Sequence, residues 1–149
     1  DTEERGEKGE KNFAEDLTGI RILLAEDNEL NMEIALYLLE DRKARVTPVS
    51  NGREAVDTFV KNPRGSFDII LMDIQMPVMD GYEATRKIRS VNRPDAKKIP
   101  IIAMTANAFT EDVQAALDAG MNAHIAKPID VKALYAEIRK FISEEDYKE

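Results

Sequence analysis

The chain has 149 residues, a hydrophobic fraction of 43% and a formal net charge of −8 at pH 7. This length suffices for one domain with a buried core, and the hydrophobic fraction is that of a globular protein. The negative charge disfavours general nucleic-acid binding, which requires a basic surface, and it disfavours docking on an anionic membrane.

The residue types that are absent exclude several kinds of catalytic and metal-binding site. The chain has no cysteine and one histidine, which excludes disulfides, thiol catalysis and metal sites built from cysteines or several histidines. No apolar run approaches the roughly 20 residues of a membrane-spanning helix, and the first residues, DTEERGEKGEKN, lack the apolar segment of a signal peptide. These features predict a cytoplasmic domain without membrane contact.

Polar residues dominate both ends of the chain. We expect a polar linker over residues 1–18, one domain over 19–143 and a polar tail over 144–149. Because the chain begins with Asp1 and not with Met, we interpret it as a piece of a longer protein or as a chain with a processed N-terminus.

The first half of the chain alternates between strand and helix patterns. Residues 21–26 (RILLAE) predict a buried strand, and Asn28 can cap the helix that follows. Residues 44–49 predict a more polar strand at the sheet edge, where Pro48 is tolerated. Asn51 and Glu54 have capping-box spacing at the next helix. The apolar stripes of these two helices are Ile34, Ala35, Leu38 and Leu39, and then Ala55, Val56, Phe59 and Val60.

The second half continues the alternation. Residues 67–72 form the most hydrophobic strand, which we place centrally; a short helix follows Gly81, and a charged loop surrounds Pro94. Further strands are predicted over 101–104 and 123–126, and Gly120 ends the helix between them. The apolar stripes of the last three helices are Tyr82, Thr85 and Ile88, then Val113, Ala116 and Leu117, then Val131, Leu134, Ile138, Phe141 and Ile142.

Five repeats of strand and helix predict an α/β fold. Parallel strands require right-handed crossovers, and helices then cover both faces of an open, doubly wound five-stranded sheet. Five units are too few for an eightfold barrel. Strand order 2-1-3-4-5, the flavodoxin-like order, is one of the two common doubly wound orders.

Functional groups in such a sheet gather at the carboxyl ends of the strands. Glu26 and Asp27 end the first predicted strand, Asp73 the third, Thr105 the fourth and Lys127 the fifth. Three close carboxylates repel one another unless a cation relieves them, and Mg²⁺ suits such oxygen ligands. An aspartate can also form an aspartyl phosphate. The pattern therefore favours Mg²⁺-dependent transfer of phosphate onto Asp73.

Four stretches carry a family resemblance: ILLAEDNELN, DIILMDIQMPVMDGYEATRKIR, PIIAMTANAF and GMNAHIAKPID. Together, in this order and spacing, they resemble the receiver domain of two-component response regulators over roughly residues 20–142. Their wording is most similar to the receiver of a hybrid sensor histidine kinase. A stand-alone regulator or the receiver of a DNA-binding regulator remains open.

The resemblance implies a role for each residue at this edge. Asp73 is the phosphoacceptor, Glu26 and Asp27 are the acidic pair of a Mg²⁺ site that Mn²⁺ could also fill, and the Gln75 carbonyl is a further metal ligand. Thr105 is the switch hydroxyl, and Lys127 is the catalytic lysine that binds phosphate. The bond before Pro128 is usually cis in this family.

Two positions depart from the family pattern. Glu26 stands where many relatives have Asp, and its longer side chain leaves both a direct and a water-mediated metal contact open. His124 stands at a commonly aromatic position, so it is a candidate switch residue of an unusual kind.

The implied partners are the dimerisation and phosphotransfer domain of a histidine kinase and a histidine phosphotransfer protein. The domain would catalyse only phosphotransfer onto its own aspartate, and the parent protein could be a sensor histidine kinase. Phosphorylation would then change the surface of the fourth helix, fifth strand and fifth helix.

Three rival functions are weighed against the receiver. An aspartyl-phosphate phosphatase would want an acid two residues after the nucleophile, where Gln75 stands, and a flavin or nucleotide carrier would want a phosphate loop where EDNELN is acidic. A degenerate receiver that only binds proteins would not need the complete set of site residues.

Overall fold

The computed structural model describes residues 16–106 and 110–142, and its sheet has five parallel strands. The strand order is β2-β1-β3-β4-β5 with parallel pairing throughout, which confirms the predicted flavodoxin-like order. The central strand is β3, as its hydrophobicity predicted, and β2 with Pro48 lies at an edge. The strands are β1 (Arg21–Ala25), β2 (Arg45–Val49), β3 (Ile69–Asp73), β4 (Ile101–Thr105) and β5 (Ala123–Ala126).

The described residues form six helices. Four of them begin after a side-chain cap, in which Asn28, Asn51, Asp80 or Asp130 accepts a backbone N–H of the first turn. The helices are α1 (Glu29–Asp41), α2 (Gly52–Lys61), α3 (Gly81–Arg89), α4 (Pro94–Lys98), α5 (Thr110–Ala119) and α6 (Val131–Phe141).

The helices cover both faces of the sheet. Side chains of α1 and α6, such as Leu39 and Ile138, pack with Leu24 and Leu71 in one core cluster. The other cluster contains side chains of α2, α3, α4 and α5 together with alternate strand residues such as Met72. Successive strand residues therefore point to opposite cores, and the backbone at each strand end is held from both sides.

One predicted loop is a short helix instead. Residues 94–98 were expected to be irregular, but they form α4, which gives the described chain a sixth helix. Pro94 occupies the first turn, where its missing N–H costs nothing, Asp95 also lies in the first turn, and Lys97 and Lys98 lie in the last turn. The predicted fourth and fifth helices consequently correspond to α5 and α6.

Three residues of the predicted apolar stripes face solvent instead of the core. Ile34 is 45% exposed, Val60 49% and Leu117 50%, whereas Ala35, Phe59 and Ala116 are buried. Adjacent helical residues point about 100° apart, so a stripe built from consecutive apolar residues is wider than the face that the sheet covers.

Packing extends to Leu17, which is fully buried and whose N–H donates to the Arg42 carbonyl. Residues 1–15 of the predicted linker and the predicted tail over 144–149 lie outside the described residues. Within the described ranges, none of the helices is long and apolar enough to cross a membrane.

Candidate functional site

The ends of four strands place polar side chains around one cleft of about 410 Å³. Glu26 directly follows β1, Asp73 ends β3, Thr105 ends β4 and Lys127 directly follows β5. Glu26, Asp73 and Thr105 are only 2%, 5% and 6% exposed. Asp27 and Gln75, both more exposed, also line the cleft. The parallel topology thus brings together groups that lie up to a hundred residues apart.

Lys127 is the centre of the charge arrangement. Its Nζ lies 2.8 Å from Glu26 Oε1 and 3.0 Å from Asp73 Oδ2. The other oxygen of Glu26, Oε2, accepts the Asn28 backbone N–H at 3.1 Å. Each of these carboxylates therefore has a fixed position, and the lysine charge lies between them.

The carboxylates lie close enough to share a cation. Glu26, Asp27 and Asp73 each offer one oxygen, and these oxygens lie within 4.8 Å of one another. The set holds only oxygen donors, which matches the preference of Mg²⁺ for carboxylates and carbonyls. The residues present therefore fit the metal that the sequence pattern predicted.

Burial and like charge act together on Asp73. Desolvation, a hydrogen bond to Glu26 and the negative charge of Glu26 raise the pKa of Asp73 to about 7, although Lys127 opposes the change. For Lys127, burial lowers the pKa, but its bonds to Glu26 and Asp73 outweigh this effect and the pKa is raised. Lys127 alone therefore does not offset the effects of burial and of Glu26, and the fold disfavours ionisation of Asp73.

The two predicted switch residues occupy different environments. Thr105 lines the cleft, and its carbonyl accepts the Lys127 N–H at 2.7 Å. His124 pairs with Ala103 in the β4–β5 ladder, is exposed and does not line the cleft. The Lys127–Pro128 peptide bond is cis, as the resemblance implied.

Close backbone packing holds the loop between β3 and α3. A side chain at Gly81 would collide with the Asp73 carbonyl, and one at Gly52 would collide with the Met79 carbonyl. The Gly81 N–H donates to Ile74 at 2.8 Å, and the Gly52 N–H donates to Met79 at 3.0 Å. These contacts fix the loop that carries Gln75 beside Asp73.

Seven further residues of the cleft were not predicted as site residues: Asn28, Asn31, Ile74, Asp80, Tyr82, Ala106 and Asp112. Asn28 was recognised only as a helix cap and Tyr82 only as a member of an apolar stripe. The caps and first turns of α1, α3 and α5, together with the residues that follow β3 and β4, bring these side chains to the cleft. No local pattern in the sequence marks that position.

The comparisons with known proteins agree with this geometry. Residues 22–139 match the family model of the response regulator receiver domain. The chain is 39% identical over 130 residues to Hybrid signal transduction histidine kinase I of Dictyostelium discoideum, across 83% of this chain and 8% of that protein. It is 38% identical over 153 residues to Histidine kinase 1 of Arabidopsis thaliana, across 82% of this chain and 13% of that protein. The chain thus spans about a tenth of the length of these relatives.

Two solved structures share the fold. The receiver domain of the sensor histidine kinase PA1611 from Pseudomonas aeruginosa, which has a magnesium ion in its active-site cleft, is 40% identical with a TM-score of 0.74, over 83% of this chain and 98% of that one. The receiver domain of Ssk1 from Saccharomyces cerevisiae, crystallised with the histidine phosphotransfer protein Ypd1, is 28% identical with a TM-score of 0.74, over 89% and 99%.

The fold, the cleft and these matches lead to one conclusion. This chain belongs to the response regulator receiver domain family of two-component and phosphorelay signalling, and its relatives include the receivers of hybrid histidine kinases.

Proposed function

We propose that this receiver accepts a phosphoryl group on Asp73 from a phosphohistidine of a partner protein. The observation that carries the proposal is the position of Lys127 in the cleft, where its ammonium lies 3.0 Å from Asp73 and 2.8 Å from Glu26. A buried carboxylate beside a cation and two further acids has the groups that phosphoryl transfer requires, namely a nucleophile and charge neutralisation.

The proposed transfer is a substitution at phosphorus. An oxygen of Asp73 forms the new P–O bond while the P–N bond of the phosphohistidine breaks, and the imidazole nitrogen leaves with the electron pair. Lys127 is placed to pair with a phosphoryl oxygen, and Thr105 brings a hydroxyl to the same cleft. The domain thus catalyses phosphotransfer onto its own side chain.

Glu26, Asp27, Asp73 and the backbone carbonyl of Gln75 would hold Mg²⁺, and Mn²⁺ could replace it because both prefer oxygen ligands. Bound Mg²⁺ supplies positive charge to the carboxylates and to the phosphoryl oxygens. The raised pKa of Asp73 supports this assignment, since a nearby cation favours the ionised carboxylate that must act as nucleophile. The magnesium in the related PA1611 receiver supports it as well.

The partner would be a protein that carries the phosphohistidine, either the dimerisation and phosphotransfer domain of a histidine kinase or a histidine phosphotransfer protein. The complex of the related Ssk1 receiver with Ypd1 supports this class of partner. Beside the cleft, α1 exposes Leu30, Ile34 and Tyr37, and an exposed apolar patch with a polar rim is typical of a docking surface. We propose that the partner contacts this patch.

The parent protein would be a hybrid sensor histidine kinase, as the curated relatives suggest. The domain would work in the cytoplasm, where ATP replenishes the kinase phosphohistidine. Phosphorylation would change the surface formed by α5, β5 and α6, with Thr105 and His124 as the candidate coupling residues.

Incubation with Mg²⁺ and acetyl phosphate, followed by intact-mass measurement, tests the proposal. We expect one added phosphoryl group in the wild type, and none in Asp73→Asn or in a sample treated with EDTA. The aspartate-to-asparagine change keeps the shape of the side chain and removes the nucleophile. Labelling of Asp73→Asn at the wild-type level would overturn the assignment.

A further inference from the structure

Helices α3 and α5 lie side by side, and the contacts at their two ends differ in strength. Each helix follows a strand of the parallel sheet, so both begin near the cleft and end at the opposite edge of the sheet. Both contribute to the same core cluster, through Ala84 and Ala116 among others. The polar contacts at each end of this helix pair determine how α5 can move relative to α3.

At the end of the pair far from the cleft, Arg89 binds the residues that follow α5. Its Nε and Nη2 donate to the Gly120 carbonyl at 3.0 and 2.9 Å, and Nη2 also donates to Asn122 Oδ1 at 2.9 Å. Nη1 donates to the Ala96 carbonyl at 3.0 Å. Asn122 Oδ1 further accepts the Ile101 N–H at 2.8 Å. A half-buried guanidinium with four such bonds is a strong attachment, because hydrogen bonds from a charged donor exceed neutral ones.

At the end beside the cleft, the described side chains of the two helices share one weak polar contact. The Tyr82 hydroxyl donates to the Asp112 carbonyl in the first turn of α5, at 3.5 Å. Both residues line the cleft that contains Asp73. A neutral bond of this length is at the limit of hydrogen bonding, so little free energy is lost when it breaks.

The surface between these two contacts offers no further polar attachment at Thr85. This side chain is fully buried on α3, and its hydroxyl has no hydrogen-bond partner among the described residues. Its methyl group would lie 3.6 Å from a Cβ built at Gly120. Thr85 therefore meets the residue that follows α5 through its methyl group and adds no directional bond between the helices.

We propose that Tyr82 is a latch that holds the first turn of α5 in the unphosphorylated protein, and that Arg89 is the fixed point about which α5 moves when Asp73 is phosphorylated. The second part rests on the proposed function. A phosphoryl group would bring negative charge into the cleft, where it repels the Asp112 carboxylate and offers the Tyr82 hydroxyl a charged acceptor. Tyr82 is thus a positioning residue that couples the site to α5.

Amide hydrogen exchange of Tyr82→Phe and Arg89→Lys tests both parts. In the unphosphorylated protein, we expect Tyr82→Phe to speed exchange in the first turns of α5 by about twofold, the factor for one weak neutral hydrogen bond. Exchange in β1 and β3 should stay unchanged, which separates a latch from general destabilisation. Arg89→Lys should instead speed exchange around Gly120 and Asn122. Tyr37→Phe, which removes an exposed hydroxyl on α1, is the matched control and should leave α5 unchanged.

The same samples are then treated with Mg²⁺ and acetyl phosphate, and the intact mass is recorded. In phosphorylated wild type, we expect the first turns of α5 to exchange as fast as in Tyr82→Phe, while Gly120 and Asn122 stay protected. Unchanged α5 exchange in unphosphorylated Tyr82→Phe would overturn the latch. Loss of protection at Gly120 and Asn122 in phosphorylated wild type would overturn the fixed point. Absence of any added mass would count against the proposed function, whereas the unphosphorylated samples would still decide on the latch.

Discussion

The two edges of the sheet each carry an ion pair, and the pairs differ in almost every physical respect. At the amino edge, Arg21 and Asp68 make a pair of 3.0 Å with side chains 44% and 33% exposed. At the carboxyl edge, Lys127 bridges two carboxylates whose side chains are 1% and 7% exposed. The amino-edge pair has one charge of each sign, whereas the carboxyl edge holds more negative than positive charge.

This difference separates a structural contact from a site. Exposed pairs contribute about 0–1 kcal/mol and perturb their surroundings little. At the buried edge, desolvation and the neighbouring Glu26 raise the pKa of Asp73 to about 7, so the fold holds an acid in a place that disfavours its charge. A raised carboxyl pKa of this kind is expected where a cation and a phosphoryl group are to bind.

Removal of Lys127 should have the largest effect on stability. We expect Lys127→Ala to slow phosphorylation by acetyl phosphate by about 100-fold, the usual loss for one charge-stabilising donor, while Mg²⁺ still binds. Without metal, the free energy of unfolding should fall by about 3–5 kcal/mol, because two buried carboxylates lose their partner. Intact-mass kinetics and denaturant unfolding measure both, and normal phosphorylation with a normal response of α5 would contradict the assignment.

Replacement of Asp73 should stabilise the metal-free protein at alkaline pH. The folded pKa of about 7 lies above the unfolded value of 3.8, so wild-type stability falls as the pH rises from about 4 to about 7. Asp73→Asn has no such loss. We expect it to be more stable than the wild type by about 1–3 kcal/mol at pH 8 in EDTA, and no more stable at pH 3.5. Thermal unfolding at the two pH values measures this difference, and a less stable Asp73→Asn at pH 8 would contradict it.

Mg²⁺ should restore part of the stability that the wild type loses when Asp73 ionises. With Mg²⁺ at ten times its dissociation constant, we expect a gain of about 1.4 kcal/mol in the stability of the wild type, from mass action alone. Asp27→Asn should gain less because one carboxylate is lost. Thermal unfolding with and without EDTA provides the measurement. Asp68→Asn at the amino edge is the matched control, and an equal loss of response in that variant would show that the metal binds elsewhere.

The amino-edge pair should show the smallest effect. We expect Arg21→Gln to cost no more than about 1 kcal/mol in denaturant unfolding, and less at high salt, because the pair is exposed and screened. Its phosphorylation by acetyl phosphate should equal that of the wild type. A loss comparable to that of Lys127→Ala would remove the distinction between the two edges.

The edge of the sheet that carries the site could be predicted because the strand pattern and the helix pattern alternate along the sequence. A hydrophobic run that stops at Asp73, and similar runs that stop before Glu26 and Lys127, specify a parallel sheet with acids and a lysine at one edge. The sequence also predicted the caps at Asn28 and Asn51. At α2, however, the Glu54 carboxylate accepts the N–H of Ser50 instead of that of Asn51, a choice made by backbone geometry at the strand end.

What could not be predicted depends on contacts between distant elements. The residues next to Tyr82 and Asp112 in the sequence do not indicate that the first turns of α3 and α5 meet beside the cleft. Those next to Arg89 do not indicate that it binds the Gly120 carbonyl, 31 residues away, at the end of α5. Leu17 stands in a polar stretch, and its burial follows from packing in the core cluster that contains residues of α1 and α6. The extent of the apolar stripes also depends on how much of each helix the sheet covers, which local periodicity does not specify.

The most direct test of the central claim is chemical identification of the phosphorylated side chain. The protein is treated with acetyl phosphate and Mg²⁺, the acyl phosphate is reduced with borohydride, and the peptides covering residues 22–31 and 67–81 are sequenced by mass spectrometry. Reduction of an aspartyl phosphate leaves homoserine, so we predict homoserine at position 73 and unmodified Glu26 and Asp27. Phosphorylation of the intact protein with the reduced residue at either of those acids, and an unmodified Asp73, would contradict the account.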